Sequence, residues 1–427
     1  MSLILKNLSL FSGNDLEFVD SGCIVIGDHG QITHVGKRRY DINKKNDRVL
    51  DGEGLLACPG FINAHTHIGD SFGKDIGIDL DLDLEQRIHP KYGFKKRILN
   101  NSKRDHLMSF MRGTALSMMK RGITAFADFR EGEIEGLKLL DDALSGLSIK
   151  CIRLGRPEYY FNLDIRKKQE NSLSNSTMEK RRSLSEDFIK RASNVLGFSD
   201  GFGLSGANEN TDESLDYLRK LTAEYKKESK RNIMVGIHAA ESQSSVKYSL
   251  SLMHKNEVQR ILRYLRPDFV VHMTNASDED VSNIAKHGIG VVVCPRSNAI
   301  LRTGFPDVPK MFRSGCCIGI GTDNVMINSA DMFREMEFLW KMSKTIHRGP
   351  LSARDVLKMA TINGGKILNI NSGSIAPKMA ADIIFFKKDH IDLAPLHDPY
   401  AAVVHRADID SISSVMINGR LVDGDEI

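Results

Sequence analysis

The 427-residue chain is predicted to be an α/β protein: a (β/α)8 TIM barrel with a small composite β-sandwich domain built from both chain ends. Three observations predict this. Across 55–370, eight short apolar runs alternate with longer amphipathic stretches. That is the pattern of parallel βαβ units, and eight strands is the number that closes a barrel. The span also suits such a barrel, which takes roughly 250 residues, or more with insertions. The ends, 1–54 and 371–427, carry short alternating strands and turn dipeptides instead. Neither has enough apolar surface to fold alone, so the two are expected to pack together beside the barrel.

In chain order, the first end segment has short strands and a turn at Asp28-His29-Gly30. Barrel strands are expected at Phe61–Ala64, Thr124–Phe129, Lys150–Leu154, Gly201–Ser205, Met234–Ile237, Phe269–Val271, Ile289–Cys294 and Cys317–Gly321. Each is an apolar run of strand length, as suits strands covered on both faces. Helical patterns separate them, at His106–Arg121, Ser214–Lys227, Asn256–Arg263, Asp278–His287 and Asp331–Ser343. Gln169–Ser185, rich in Asn, Ser and charge, reads as a long loop after the third strand, either a lid or an insertion. The last segment carries strands at Ile383–Phe386 and Val415–Ile417, then Asn418-Gly419, which favours a tight hairpin.

A hydrophobic content of 41% supports a large core, and the net charge of +4 is spread over mixed signs. The short basic clusters Lys95-Lys96-Arg97 and Lys180-Arg181-Arg182 lack the interleaved aromatics of a nucleic-acid surface. They read as solvated faces, and no nucleic-acid partner is expected. Six cysteines (Cys23, Cys58, Cys151, Cys294, Cys316, Cys317) form no Cys-x-x-Cys pair and look like reduced core residues of a cytoplasmic protein. The start shows no signal-peptide pattern, and no apolar run reaches the ~20 residues of a membrane helix. The expected partner is a small-molecule substrate; a homodimer stays open.

The most informative stretch is Ala57-Cys58-Pro59-Gly60-Phe61-Ile62-Asn63-Ala64-His65-Thr66-His67. It reads as a buried strand ending in two histidines. Residues i and i+2 of a strand share a side, so both imidazoles face one point, as two ligands of one metal ion would. Two packed or surface histidines are the alternative. Other candidates fall at strand ends, where this fold gathers its chemistry. His238 ends the fifth strand, with Glu241 in the following turn; His272 ends the sixth; Asp323 follows the eighth. Imidazoles and a carboxylate there can hold a divalent ion with a bound water, whose pKa the ion lowers to about 7. Taken singly, His238 is more often a core histidine and Glu241 a helix N-terminal carboxylate, while Asp323 could merely cap a helix and His272 anchor a loop. His29, His34, His89, His254, His390 and His405 fall in turns, helices or end segments and read as structural.

These stretches together resemble the amidohydrolase superfamily, in its deaminase and chlorohydrolase branch. Pro59–His67 resembles the first-strand signature of that branch, Gly122-Ile123-Thr124 its second-strand lead, and His238-Ala239-Ala240-Glu241 its fifth-strand His-x-x-Glu. Cys294-Pro295-Arg296-Ser297-Asn298 is similar to its seventh-strand loop and Gly321-Thr322-Asp323 to its eighth-strand aspartate. Ala381-Asp382-Ile383-Ile384 and Ile417-Asn418-Gly419-Arg420 resemble its β domain. The resemblance implies that His65, His67, His238 and Asp323 ligate one divalent metal ion, zinc first, with iron and manganese also compatible. It also implies catalytic roles for Glu241, His272 and Asp323.

Two departures carry weight. The bridging lysine of two-metal members is missing from Gly203-Leu204-Ser205-Gly206-Ala207-Asn208, which favours one ion. The Pro-x-Glu of nucleoside deaminases is replaced by Pro90-Lys91-Tyr92-Gly93. Arg130, Arg153 and Arg156, at the ends of the second and third strands, could bind a substrate carboxylate or phosphate, or form ion pairs with Glu131 or Asp128. Asn298 is a further candidate for substrate contact. The expected function is hydrolysis of a C–N bond, as an aminohydrolase of an amino-substituted heterocycle. A cyclic amidase or chlorohydrolase on the same scaffold, or a catalytically silent homologue, are the alternatives.

Overall fold

The computed structural model describes residues 2–37, 47–89, 91–159, 184–346, 349 and 351–422. The first segment forms β1 (Leu3–Ser12), β2 (Glu17–Ile26), β3 (Ile32–Gly36), β4 (Arg48–Asp51) and β5 (Leu55–Pro59). The barrel strands follow as β6 (Phe61–His67), β7 (Ile123–Arg130), β8 (Lys150–Gly155), β9 (Gly201–Leu204), β10 (Met234–Ala239), β11 (Phe269–His272), β12 (Gly290–Val293), β13 (Ile318–Ile320) and β14 (Asp323–Asn324). The last segment adds β15 (Ile383–Lys387), β16 (Ile412–Ile417) and β17 (Arg420–Leu421).

The fold is TIM-barrel-like α/β. All eight expected runs are strands, and neighbours pair in parallel from β6 through β13. The sheet curls until β14, three residues past β13, pairs with β6 in the register Asp323↔Thr66 and Asn324↔His67. Gly321 permits that closure: a Cβ there would lie 2.8 Å from the His65 carbonyl oxygen. Asn63 ties the same joint, donating to Thr322 Oγ1 at 2.7 Å and accepting from Thr322 N at 2.9 Å. Side chains alternate as strand geometry demands. Val270, Val291 and Val293 join the large helix-side cluster, whereas Val271 and Val292 pack with Phe129 and Phe269 in a second, separate one.

The five expected helices are present, the longest of them at Arg104–Lys120 and Asp212–Ser229. Short helices at Leu84–Ile88 and Phe94–Asn100 stand in the long excursion after β6. The two chain ends share one mixed eight-stranded sheet, ordered β17-β16-β15-β5-β1-β2-β3 with β4 on β1. Among the described residues these strands form one connected hydrogen-bonded sheet. Leu55–Pro59, which fell on the barrel side of the sequence-based division, pairs here with β15 and β1 in the end sheet. Gln169–Ser185 and Lys180-Arg181-Arg182 lie outside the described residues, save for its last two positions. No helix among the described residues is long and apolar enough to cross a membrane.

Candidate active site

The C-terminal ends of β6, β10, β11 and β13–β14 bring the candidate residues together. Ala240, His272, Met273 and Asp323, all non-glycine, adopt positive φ of 48°, 76°, 53° and 57° just at these ends. Such strain clusters where side chains must be aimed. His65 Nε2 lies 3.2 Å from His238 Nε2 and 3.2 Å from Asp323 Oδ1. His67 Nε2 lies 3.5 Å from the same Asp323 oxygen. Donor atoms of His65, His238, His272 and Asp323 all fall within 4.8 Å of one another. By distance alone, then, the tightest set contains His272 in place of His67.

The hydrogen bonds behind the rings sort them differently. His67 Nδ1 is 3.2 Å from the Phe129 carbonyl and His238 Nδ1 is 3.0 Å from the Leu204 carbonyl. A carbonyl only accepts, so each Nδ1 carries the hydrogen and each Nε2 turns a lone pair inward, the usual support for a metal-ligating histidine. His272 Nδ1 instead faces the amide nitrogen of Asn298 at 3.1 Å. Asp323 is oriented from two sides: Ser297 Oγ donates to its Oδ2, and Thr66 Oγ1 donates to its backbone carbonyl at 2.9 Å.

Burial holds His67 and His238 well below the ordinary imidazole range, reinforced by Lys95 and by His65 respectively. Both are therefore neutral, as ligands must be. Burial opposes the charge of Asp323, but the hydrogen bond from His65 and the nearby imidazoles of His272 and His67 hold it well below the carboxylate range. Glu241 goes the other way: burial, then the charge of Asp323, raise it well above its ordinary value. Its Oε2 is 3.5 Å from His272 Nε2, and its Oε1 is buried without a partner among the described residues. Inward lone pairs and one ionised carboxylate fit a single divalent cation such as zinc. No lysine stands at the end of β9; Ser205, Gly206 and Asn208 face the cavity there.

A cavity of about 610 Å³ opens over these groups, lined near the histidines by His67, His238, Glu241, His272 and Asp323. Farther out, Glu85, Tyr92, Glu209 and Tyr248 line it. The proposed substrate contacts separate here. Arg156 lines the cavity, with Nη2 2.8 Å from Glu131. Arg130 is buried beneath it, donating to the Glu131 carbonyl at 3.1 Å and 3.7 Å from Asp128. Arg153 stands outside the cavity lining, held by Asp200 and Asp141 at 3.1 Å each. Asn298 is wholly buried behind His272, off the cavity lining, because its turn packs inward. Arg130, Arg153 and Asn298 thus find protein partners away from the cavity lining.

One expectation is corrected outright, and a second residue stands nearer the site than its sequence position suggests. Lys95, read as part of a solvated face, is 4% exposed and sits 2.8 Å from both Asp70 and Glu131. A basic triplet resembles a solvated surface until the carboxylates that bury one member are known. His89, read as structural, lines the cavity stacked on Tyr92 at 3.7 Å. Ser297, Glu209 and Lys95 were missed; only Ser297, beside Asn298 in the seventh-strand loop, carried a local signal.

Comparison with known proteins follows the same lines. The sequence profile of the amidohydrolase family matches residues 56–422. A Methanothermobacter thermautotrophicus protein, provisionally named as an aminohydrolase, is 33% identical over 98% of this chain and 99% of its own. The 5-methylthioadenosine/S-adenosylhomocysteine deaminase of Thermoanaerobacter pseudethanolicus is 27% identical over 99% of this chain and 94% of its own. The zinc-bound crystal structure of a Xanthomonas campestris adenosine deaminase superposes with a TM-score of 0.79 at 19% identity, covering 98% of this chain and 92% of that one.

Proposed function

The chain belongs to the amidohydrolase family, in its deaminase and chlorohydrolase branch, and is a hydrolase of carbon–nitrogen bonds; from that premise we propose that it is an aminohydrolase releasing ammonia from an amino-substituted heterocycle. The observation that carries this reading is a buried Glu241, held well above the ordinary carboxylate range, beside inward-facing imidazole lone pairs and an ionised Asp323. His65, His67, His238 and Asp323 would hold one divalent metal ion. When bound, that ion supplies a water activated near neutral pH.

The chain's own residues do the rest. Asp323, or Glu241 in its ionised form, takes the proton of the attacking water. Glu241 passes a proton to the ring nitrogen or to the departing amine, so that the C–N bond breaks as the C–O bond forms. His272, drawn down to a pKa of about 4 by burial, stays neutral and stabilises charge developing on the substrate. Names of the deaminase relatives support a purine-like ring, and the large cavity leaves room for a substituent on it. Arg156, which lines the cavity, is the arginine assigned to that substituent in this reading. The barrel at 55–370 would carry the chemistry, with 1–54 and 371–427 forming the side unit and Leu55–Pro59 moved into it. Zinc as the ion, a cytoplasmic location suited to free thiols, and a homodimer complete the proposal.

The test couples metal analysis of the purified protein to an ammonia-release screen over purines, nucleosides, pyrimidines, pterins and guanidino compounds. Ammonia with one equivalent of metal supports the reading. Chloride release or ring opening without ammonia favours the alternatives. A fully metallated protein inert across the whole panel counts against the aminohydrolase reading.

A further inference from the structure

Distance alone makes His272 a fourth imidazole ligand, since its donor lies within the 4.8 Å group with His65, His238 and Asp323. Its tautomer decides otherwise. Asn298 Nδ2 is 3.1 Å from His272 Nδ1 and 3.1 Å from Thr303 Oγ1. The Thr303 hydroxyl donates to the Asn298 carbonyl at 3.2 Å, which leaves its lone pairs facing that amide. Both amide hydrogens are then placed, one of them on the imidazole. This orientation leaves one buried acceptor, Asn298 Oδ1, without a partner among the described residues. The reversed amide would leave two buried donors unpaired, which costs more. A neutral imidazole that accepts at Nδ1 carries its hydrogen on Nε2.

Asn275 braces the arrangement, donating to the Glu241 carbonyl at 2.8 Å and the Thr303 carbonyl at 2.9 Å. The turns after β10, β11 and β12 are thereby locked to one another.

Resting on the metal site read above, we propose that Asn298 is a positioning residue that fixes His272 as the Nε2–H tautomer, barring it from the metal and keeping it a hydrogen-bond donor to the substrate. His67 and His238 sit in the opposite state because carbonyls, not an amide N–H, stand behind them.

The test is Asn298→Asp, nearly isosteric, whose carboxylate accepts from Nδ1 and releases the Nε2 lone pair. Two-bond ¹H–¹⁵N correlation on the metal-free, ¹⁵N-histidine-labelled full chain reports each tautomer, with His272 assigned by His272→Gln. The expected result is Nε2–H in the native protein and Nδ1–H in Asn298→Asp. On loading with cobalt(II) alone, Asn298→Asp should show an altered visible spectrum from an added imidazole, and Asn298→Ala should not. A native His272 bearing hydrogen on Nδ1 overturns the proposal even should Asn298→Asp fail to fold. So does an unchanged tautomer in a folded Asn298→Asp. Failure to find a substrate touches only the functional reading, because the tautomer measurement needs none.

Discussion

Glu241→Gln isolates proton transfer from everything else the site does. The native carboxyl is buried and raised well above the ordinary range, by burial first and the Asp323 charge second. Gln copies the shape of its neutral form. What Gln cannot do is give up a proton. A positioned general acid contributes about 10²–10⁴-fold, so the barrier should rise by roughly 2.7–5.5 kcal/mol and kcat should fall accordingly. Metal content should stay native, since Glu241 is not among the proposed ligands. Stability supplies an independent reading. An acid raised in the folded state gives stability present below the unfolded pKa and lost as pH rises through the folded one. Metal-free Glu241→Gln should therefore match the native Tm near pH 4 and exceed it near pH 8. The assay is ammonia release on the substrate found by the screen, with metal analysis and thermal melts at both pH values. Full turnover by a folded, metallated Glu241→Gln would refute the assignment.

His65→Ala should lose metal on purification, read by elemental analysis; retention of one equivalent would remove His65 from the ligand set. Lys95→Met strands Asp70, already raised to about 6 by burial, beside Glu131. Breaking such a buried pair costs about 3–5 kcal/mol, which denaturant unfolding should show, with part restored by adding Asp70→Asn. Arg153→Ala removes only half-exposed pairs with Asp200 and Asp141 and should alter stability by less than about 1 kcal/mol and leave kcat/KM unchanged. Buried Glu335, raised to about 8 chiefly by burial, should make native stability fall as pH climbs from 5 to 8; Glu335→Gln should flatten that slope in pH-dependent melts.

The barrel was legible because its signal is local. Each strand is an apolar run long enough to bury on both faces, and all eight sit where the runs stand. His65, His67, His238, His272 and Asp323 were legible for the same reason: they end those runs, and the fold gathers run ends. The arginines were not. Arg130, Arg153 and Arg156 look alike in sequence, yet one lies buried on Glu131, one outside on Asp200 and one at the cavity. Arg130 turns back on its own strand, whereas the carboxylates that meet Arg153 and Arg156 arrive from other segments, and packing between segments leaves no mark on any one of them.

Sequence by itself determined which side chains end the strands and what chemistry those side chains carry, because apolar periodicity and residue type are properties of short segments. Tertiary structure alone decided what stands behind each ring. Carbonyls from Phe129 and Leu204 turn His67 and His238 into lone-pair donors, and an amide from Asn298 turns His272 into a hydrogen-bond donor. A histidine's tautomer is set by its partner, and here every partner arrives from a distant part of the chain.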